Sequence, residues 1–163
     1  MGAIIQLESP GFRQFTSAGE PIFGGPDGWG IAQLDYSQGG GTATTMEVWN
    51  WQVNLSSGLA IIEDKRRAAV AYFAVVKSAN PQKWEEPPAS YRDARTHTSL
   101  SSLDAAIITL YNGGSTQVKD SRGNPLNSCW KFTPENAPGK RWSFVPNSHD
   151  YVYQVVSRME QGY

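Results

Sequence analysis

Ala3-Ile4-Ile5-Gln6-Leu7-Glu8-Ser9 and, beyond a polar loop, Gly28-Trp29-Gly30-Ile31-Ala32-Gln33-Leu34 are the two runs on which the reading of this chain turns. The first reads as a short apolar helix that ends in a carboxylate. The second is an apolar run behind a glycine-rich turn, and it carries one amide, Gln33. An acid at the end of an apolar helix is poorly solvated, and desolvation favours its protonated form. A carboxylic acid kept protonated near neutral pH is what breaking an acetal bond requires. Glu8 is therefore the first candidate for chemistry, although taken alone it reads more readily as an ordinary helix-end residue.

The totals narrow the field. A chain of 163 residues suits one domain with one sizeable core. The formal net charge of −1 leaves no electrostatic footprint for nucleic acid. The only basic run, Lys65-Arg66-Arg67, follows Glu63-Asp64 at helical spacing and reads as a solvated helix face. Charged residues make up 18%, against about 25% in a typical soluble domain. Six Trp and seven Tyr suggest some aromatic surface, useful for stacking on sugar rings, with most of the rings in the core. A single cysteine, Cys129, excludes an internal disulfide and says little about compartment. No apolar run approaches the roughly 20 residues that span a bilayer. Met1-Gly2 leads straight into the first helix, with no basic region and no cleavage site of a signal peptide. The expectation is a chain that works without classical export or was excised from a longer protein.

Outward from the two runs, residues 9–28 are rich in turn formers, among them Pro10, Gly11, Gly19, Pro21, Pro26 and Asp27. Phe12, Phe15, Ile22 and Phe23 tie this loop to a core, and a short hairpin is expected around Ala18-Gly19-Glu20. After Tyr36, Gln38-Gly39-Gly40-Gly41 breaks the chain. Thr44 or Thr45 then caps a short helix, Met46 to Trp51. The longest helix is expected from a cap at Asn54 or Ser56 to about Lys77, with Leu59, Ile62, Ala69, Tyr72, Phe73 and Val76 on its apolar face. Residues 78–97 and 115–127 read as loops. Between them, Ser101 or Ser102 caps a helix over Leu103–Tyr111, which Asn112-Gly113-Gly114 stops. Residues 129–133 and 141–145 alternate as an aromatic two-stranded ribbon carrying Trp130, Phe132, Trp142 and Phe144. It could wall a cleft, dock a partner or cap the core. A last helix starts after Asn147-Ser148, with Tyr151, Val152, Val155, Val156 and Met159 on one side.

Several chemistries fall away. No Gly-Lys-Ser/Thr follows the glycine clusters, so there is no phosphate loop. Asp35-Tyr36-Ser37-Gln38-Gly39 misses the first glycine of a nucleophile elbow. His97, His149 and Cys129 lack metal-ligand spacing.

What remains is Glu8 with its surroundings, and here five separated segments fall into one pattern. Ala3–Ser9 resembles the helix ending in Glu-Ser of the soluble-lytic and goose-type lysozyme group of lytic transglycosylases, whose Glu is the catalytic acid. Gly30-Ile31-Ala32-Gln33-Leu34 resembles that group's Gly-Leu-Met-Gln segment. Asn54-Leu55 with Gly58 resembles its Asn-Ile-x-x-Gly, Leu110-Tyr111-Asn112-Gly113-Gly114 its Ala-Tyr-Asn-Ala-Gly, and Tyr151-Val152 with Val155 its closing Tyr-Val-x-x-Val. The order holds over nearly the whole chain. Ala32 replaces the usual Met, Gly113 replaces Ala, the ribbon is an addition, and the helix before Glu8 is short.

The resemblance implies a mainly α (α+β) lysozyme-like fold with a small β-ribbon insertion, in one domain over residues 1–163. It implies cleavage of the β-1,4 bond between N-acetylmuramic acid and N-acetylglucosamine in peptidoglycan, with a 1,6-anhydro product. Glu8 would be the acid and then the base. Ser9 and Tyr151 would orient it, and Gln33, Tyr111 and Asn112 would bind sugar groups. Most glycoside hydrolases pair two carboxylates. Here Glu20, Asp27 and Asp35 are the candidates for a second, and Asp27 reads best as a turn residue. The resemblance requires no cofactor and no metal. Its partners are peptidoglycan glycan strands, with an inhibitor or immunity protein or a parent delivery protein as a further expectation, and its place of action is the periplasm or cell wall. A lysozyme- or chitinase-type hydrolase and a silent glycan-binding or scaffold domain are the alternatives. The chain could also be the lytic end of a secreted effector or phage tail protein.

Overall fold

Asn50 ends one helix and begins the longest. Its side-chain oxygen accepts from the Gln52 and Val53 amides at 3.0 and 3.3 Å, satisfying two of the donors a helix start leaves open. The computed structural model describes residues 2–25, 27–37, 40–114, 116–147 and 150–162. The expectations that fall on Pro26, Gln38-Gly39, Ser148 and His149 lie outside the described residues. The chain divides into two compact units, one comprising Met1–Ile61 with Gln161–Tyr163 and the other Ile62–Glu160. With 40% helix and 17% strand it is a mixed α+β protein whose sheets are small.

In the first unit, α1 (Gly2–Glu8) buries Ala3, Ile4, Ile5 and Gln6. The expected hairpin is a single bridge, Phe15 to Pro21, closed by the Thr16 amide on the Glu20 carbonyl at 2.8 Å. β1 (Phe23–Gly24) pairs antiparallel with β2 (Gly28–Trp29), and Asp27 sits in the turn between them. Helix α2 (Thr45–Trp49) is capped by Thr44 in a capping box with Glu47. Helix α3 (Trp51–Ala79) contributes its first residues here. It starts before Asn54, so neither Asn54 nor Ser56 is its cap.

Asn54 is instead fully buried and works as a clamp. Its oxygen accepts from the Ala32 amide at 2.8 Å, and its nitrogen donates to the Trp29 and Glu47 carbonyls at 2.9 and 3.0 Å. Gln14 does the same from the other side. Its oxygen accepts from the Ile31 amide at 2.8 Å, while its nitrogen donates to the Val48 carbonyl at 2.7 Å. Two carboxamides thus bind the turn at residues 29–32 to carbonyls left open at the end of α2. Gly30, at φ +72, lies between them. A Cβ there would come within 2.4–2.5 Å of Asn54 Nδ2 and the Gln14 amide, so no side chain fits.

In the second unit, the rest of α3 buries Ala69, Tyr72 and Val76 as expected, whereas Leu59 of the first unit, placed on the same face by periodicity, is half exposed. Arg67 pairs with Asp64 and Glu63 on the exposed side, in keeping with a solvated face. Residues 78–97 are not all loop: β3 (Ser90–Arg92) pairs with β4 (Ser99–Ser101). Asp93 makes that turn, its carboxylate accepting from the Arg95 and Thr96 amides at 2.9 and 3.0 Å. Helix α4 (Ser102–Tyr111) follows, capped by Ser101. The second expected loop also holds a hairpin, β5 (Thr116–Lys119) with β6 (Pro125–Ser128), because Asp120 accepts from the Arg122 and Asn124 amides, both at 2.8 Å.

The aromatic ribbon is as expected, β7 (Trp130–Phe132) against β8 (Trp142–Phe144). Its rings meet Phe73, Trp84 and Tyr91, with Tyr91 stacked on Phe144 at 4.1 Å. Trp130 donates to the Ser102 carbonyl at 2.9 Å and Trp142 to the Glu85 carbonyl at 3.0 Å. The ribbon therefore builds the core of this unit. Cys129 is buried beside it, and burial pushes its thiol up to about 11. Helix α5 (Tyr151–Glu160) buries Tyr151, Val152, Val155 and Val156, while Met159 is exposed.

Asn54→Ala strands several buried backbone groups at once. We expect it to lower unfolding stability by about 3 kcal/mol, read from denaturant titration, since each orphaned buried group costs about 1–3 kcal/mol.

Candidate active site

Glu8 is the last residue of α1 and is half-buried. Ser9 behind it is 2% exposed. Its amide continues the helix onto the Ile5 carbonyl at 2.7 Å, and its hydroxyl donates to the Arg13 carbonyl at 2.7 Å. The hydroxyl proton is thus committed to the turn that leaves the helix. Gln6 assists, its side-chain oxygen accepting from the Gly11 amide at 3.1 Å.

Gln33 is half-buried and closes the clamped turn in the left-handed region, at φ 47. A non-glycine residue held there costs on the order of 1–3 kcal/mol and persists only where its surroundings fix it. Two bonds to the Gly30 carbonyl do so, from the backbone amide at 3.2 Å and from Nε2 at 2.8 Å. The Gln33 Oε1 lies over the β1–β2 hairpin, where a Cβ on Gly24 would approach it to 2.0 Å. That glycine leaves room for the amide.

Tyr111, Asn112 and Tyr151 belong to the second unit. Tyr111 is half-buried at the end of α4, and Asn112 is its exposed C-cap. Asn147 joins this helix end to the start of α5. Its Nδ2 donates to both the carbonyl and the Oδ1 of Asn112 at 3.2 Å, and its Oδ1 accepts from the Tyr151 amide at 2.9 Å. Asp150, immediately before Tyr151, is left-handed at φ 50 and is ion-paired to Arg95. Arg95 also reaches the buried Asp93 at 3.4 Å and lies over the Tyr153 ring at 3.4 Å. Asn112 and Tyr151 are thus brought together through Asn147. Glu8, Ser9 and Gln33 belong to the other unit.

The remaining buried carboxylates have structural work. Burial pushes the Glu47 carboxyl up, but bonds from the Thr44 amide, the Tyr36 and Ser57 hydroxyls and the Thr44 hydroxyl outweigh it and hold it at about 2. Tyr36, buried beside that charge and bonded to it at 2.7 Å, rises to about 12. Asp93 is likewise lowered: burial raises it, and the Thr96 and Arg95 amides, the Tyr91 hydroxyl and the Arg95 side chain prevail. Among the expected second acids, Glu20 and Asp27 are exposed, and exposed Asp35 is lowered by its bonds from Ser37.

Gln14, Asn54, Glu47 and Asn147 hold the candidate residues in place. The sequence marks Asn54 and Asn147 only beside helix starts and gives Glu47 the spacing of a capping box with Thr44, while Gln14 carries no signal. Comparison with protein-family models, curated proteins and solved structures finds no match to this chain.

Two outcomes follow from this geometry. Glu47, lowered from 4.5 to about 2, contributes stability that is present above pH 4.5 and is lost as pH falls towards 2. Glu47→Gln should therefore be less stable at pH 7 and should flatten the stability profile between those limits, measured by thermal melts. Asn147→Ala should lower stability by about 1 kcal/mol, as loss of one helix-end partner does, and should shift the Asn112 and Tyr151 amide resonances.

Proposed function

We propose that this chain is a peptidoglycan lytic transglycosylase with a lysozyme-like fold, Glu8 being its general acid and base. The observation that carries the reading is the placing of one carboxyl. Glu8, half-buried, ends a helix that buries Ala3, Ile4, Ile5 and Gln6. The five-segment resemblance supports the same choice.

A glycosidic oxygen leaves only when protonated. Glu8 gives its proton to that oxygen as the bond to C1 of N-acetylmuramic acid breaks. The 2-acetamido oxygen closes on C1 from the far side, so no second carboxylate is needed. The 6-hydroxyl then attacks C1 and displaces the acetamido oxygen, and its proton returns to Glu8. The product is a 1,6-anhydro sugar, and no water is consumed. In the unit that carries Glu8, Gln33 takes sugar amide and hydroxyl groups, and Ser9 fixes the turn behind the acid. The left-handed Gln33 supports a functional role, since strained backbone concentrates at binding sites.

The test is digestion of purified peptidoglycan followed by mass analysis of the muropeptides. Anhydro ends are expected, with Glu8→Gln slowing their formation about 10²–10⁴-fold, the usual contribution of a general acid. Reducing ends carrying one added water would mean a hydrolase. Pulldown on peptidoglycan without turnover, unchanged in Glu8→Gln, would mean a binding domain.

A further inference from the structure

The second unit holds a cavity of about 580 Å³, and every residue that lines it belongs to that unit. Its size lies within the roughly 300–1,000 Å³ of small-ligand pockets. One side is the end of α3, which contributes Val76 and Ala79. The other sides come from β5, with Val118 and Lys119, and from β7, with Lys131 and Phe132. Among the described residues no Asp or Glu lines it.

The sides differ in what they offer. Both lysines are exposed, and among the described residues neither forms an ion pair. Asp120, next to Lys119 in the chain, spends its carboxylate on the Arg122 and Asn124 amides of its own turn. Two uncompensated ammonium groups around an acid-free hollow raise the local potential and attract an anion. The end of α3 works in the opposite sense. A helix C-terminus carries partial negative charge, so it turns an anionic head away. The Val76 carbonyl there is already met by the Asn80 side chain at 2.9 Å. That side offers a ligand apolar surface, which favours hydrocarbon over a bare hydrated ion.

We propose that this cavity binds a small amphiphilic carboxylate, a fatty-acid anion of medium chain length. Its head meets Lys119 and Lys131, and its chain covers Val76, Ala79, Val118 and Phe132. A carboxylate has two oxygens, so one head can accept from both ammonium groups at once. The site lies wholly in the second unit and requires nothing of Glu8 or of the unit that carries it.

Calorimetric titration of the full chain with octanoate tests it, with octylamine and acetate as the comparison ligands. Octanoate is expected to bind, octylamine to bind more weakly because its head is a cation, and acetate to fail as a competitor because it has no chain. Octanoate affinity should fall about tenfold in the Lys119→Gln/Lys131→Gln double variant, the worth of a charge-assisted contact, and should fall with added salt. It should also fall in Ala79→Phe, where a ring placed at the exposed end of α3 fills the hollow, and should be unchanged in Lys140→Ala, outside the cavity. No heat with octanoate, octylamine binding as tightly, acetate displacing octanoate at equal concentration, or full affinity in the double variant would each overturn the proposal. The comparison of head groups needs no variant, so it stands whether or not the substituted chains fold.

Discussion

Two buried carboxamides, Gln14 and Asn54, hold the first unit together. Between them they grip the backbone of residues 29–32 and the open carbonyls of Glu47 and Val48. An amide that offers both a donor and an acceptor can bridge a turn and a helix end at once, which no apolar side chain does. The cost of burying it is offset only when every polar atom is partnered, and among the described residues no buried side-chain polar atom lacks one. The clamp then dictates what surrounds it. Gly30 has to be glycine, Gln33 is forced left-handed at the turn's end, and Glu47 is fixed from below by its own capping box.

Periodicity and capping chemistry made the helices legible. Thr44-x-x-Glu47, Ser101 before α4 and Gly113-Gly114 after it all act as their residue types require. The ribbon was legible because Trp130, Phe132, Trp142 and Phe144 alternate. The hairpins β3–β4 and β5–β6 were not, since strands of three and four mostly polar residues carry no alternation. Their signal lies in the turns, where Asp93 and Asp120 each gather two following amides. Asn54 was misread for a related reason. Asn is a favoured cap, but Asn50 reaches the free amides first, and Asn54, one turn later, faces a buried backbone. Of Asn147 the sequence shows only that it precedes the last helix, because its bonds to Asn112 and Tyr151 exist only once α4 and α5 are folded.

Aromatic residues divide between the units in a way composition conceals. In the second unit Trp130 and Trp142 are core and Trp84 is half-buried, edge-on or tilted against Phe73, Phe132, Phe144 and one another. In the first unit Phe12, Phe23, Trp49 and Trp51 are all more than 40% exposed, and Phe23 leans on Trp29 with ring centroids 4.6 Å apart. These exposed rings lie in the same unit as Glu8. The ribbon, which the sequence left free to wall a cleft, is consumed in packing.

The carboxylates divide by a similar logic. A buried acid with several donors around it is fixed as an anion and cannot deliver a proton near neutral pH. Glu47 spends its charge on Thr44, Tyr36 and Ser57; Asp93 spends its charge on a turn, on Tyr91 and on Arg95. Glu85 takes the Gly139 and Arg141 amides at 2.8 and 3.0 Å to pin the loop of the ribbon. Each of these acids could be removed from a list of catalysts by its partners alone. A two-carboxylate hydrolase needs a second acid beside the first. Among the described residues of the first unit, the buried Glu47 is held as an anion by its donors, while Glu20, Asp27 and Asp35 stand exposed.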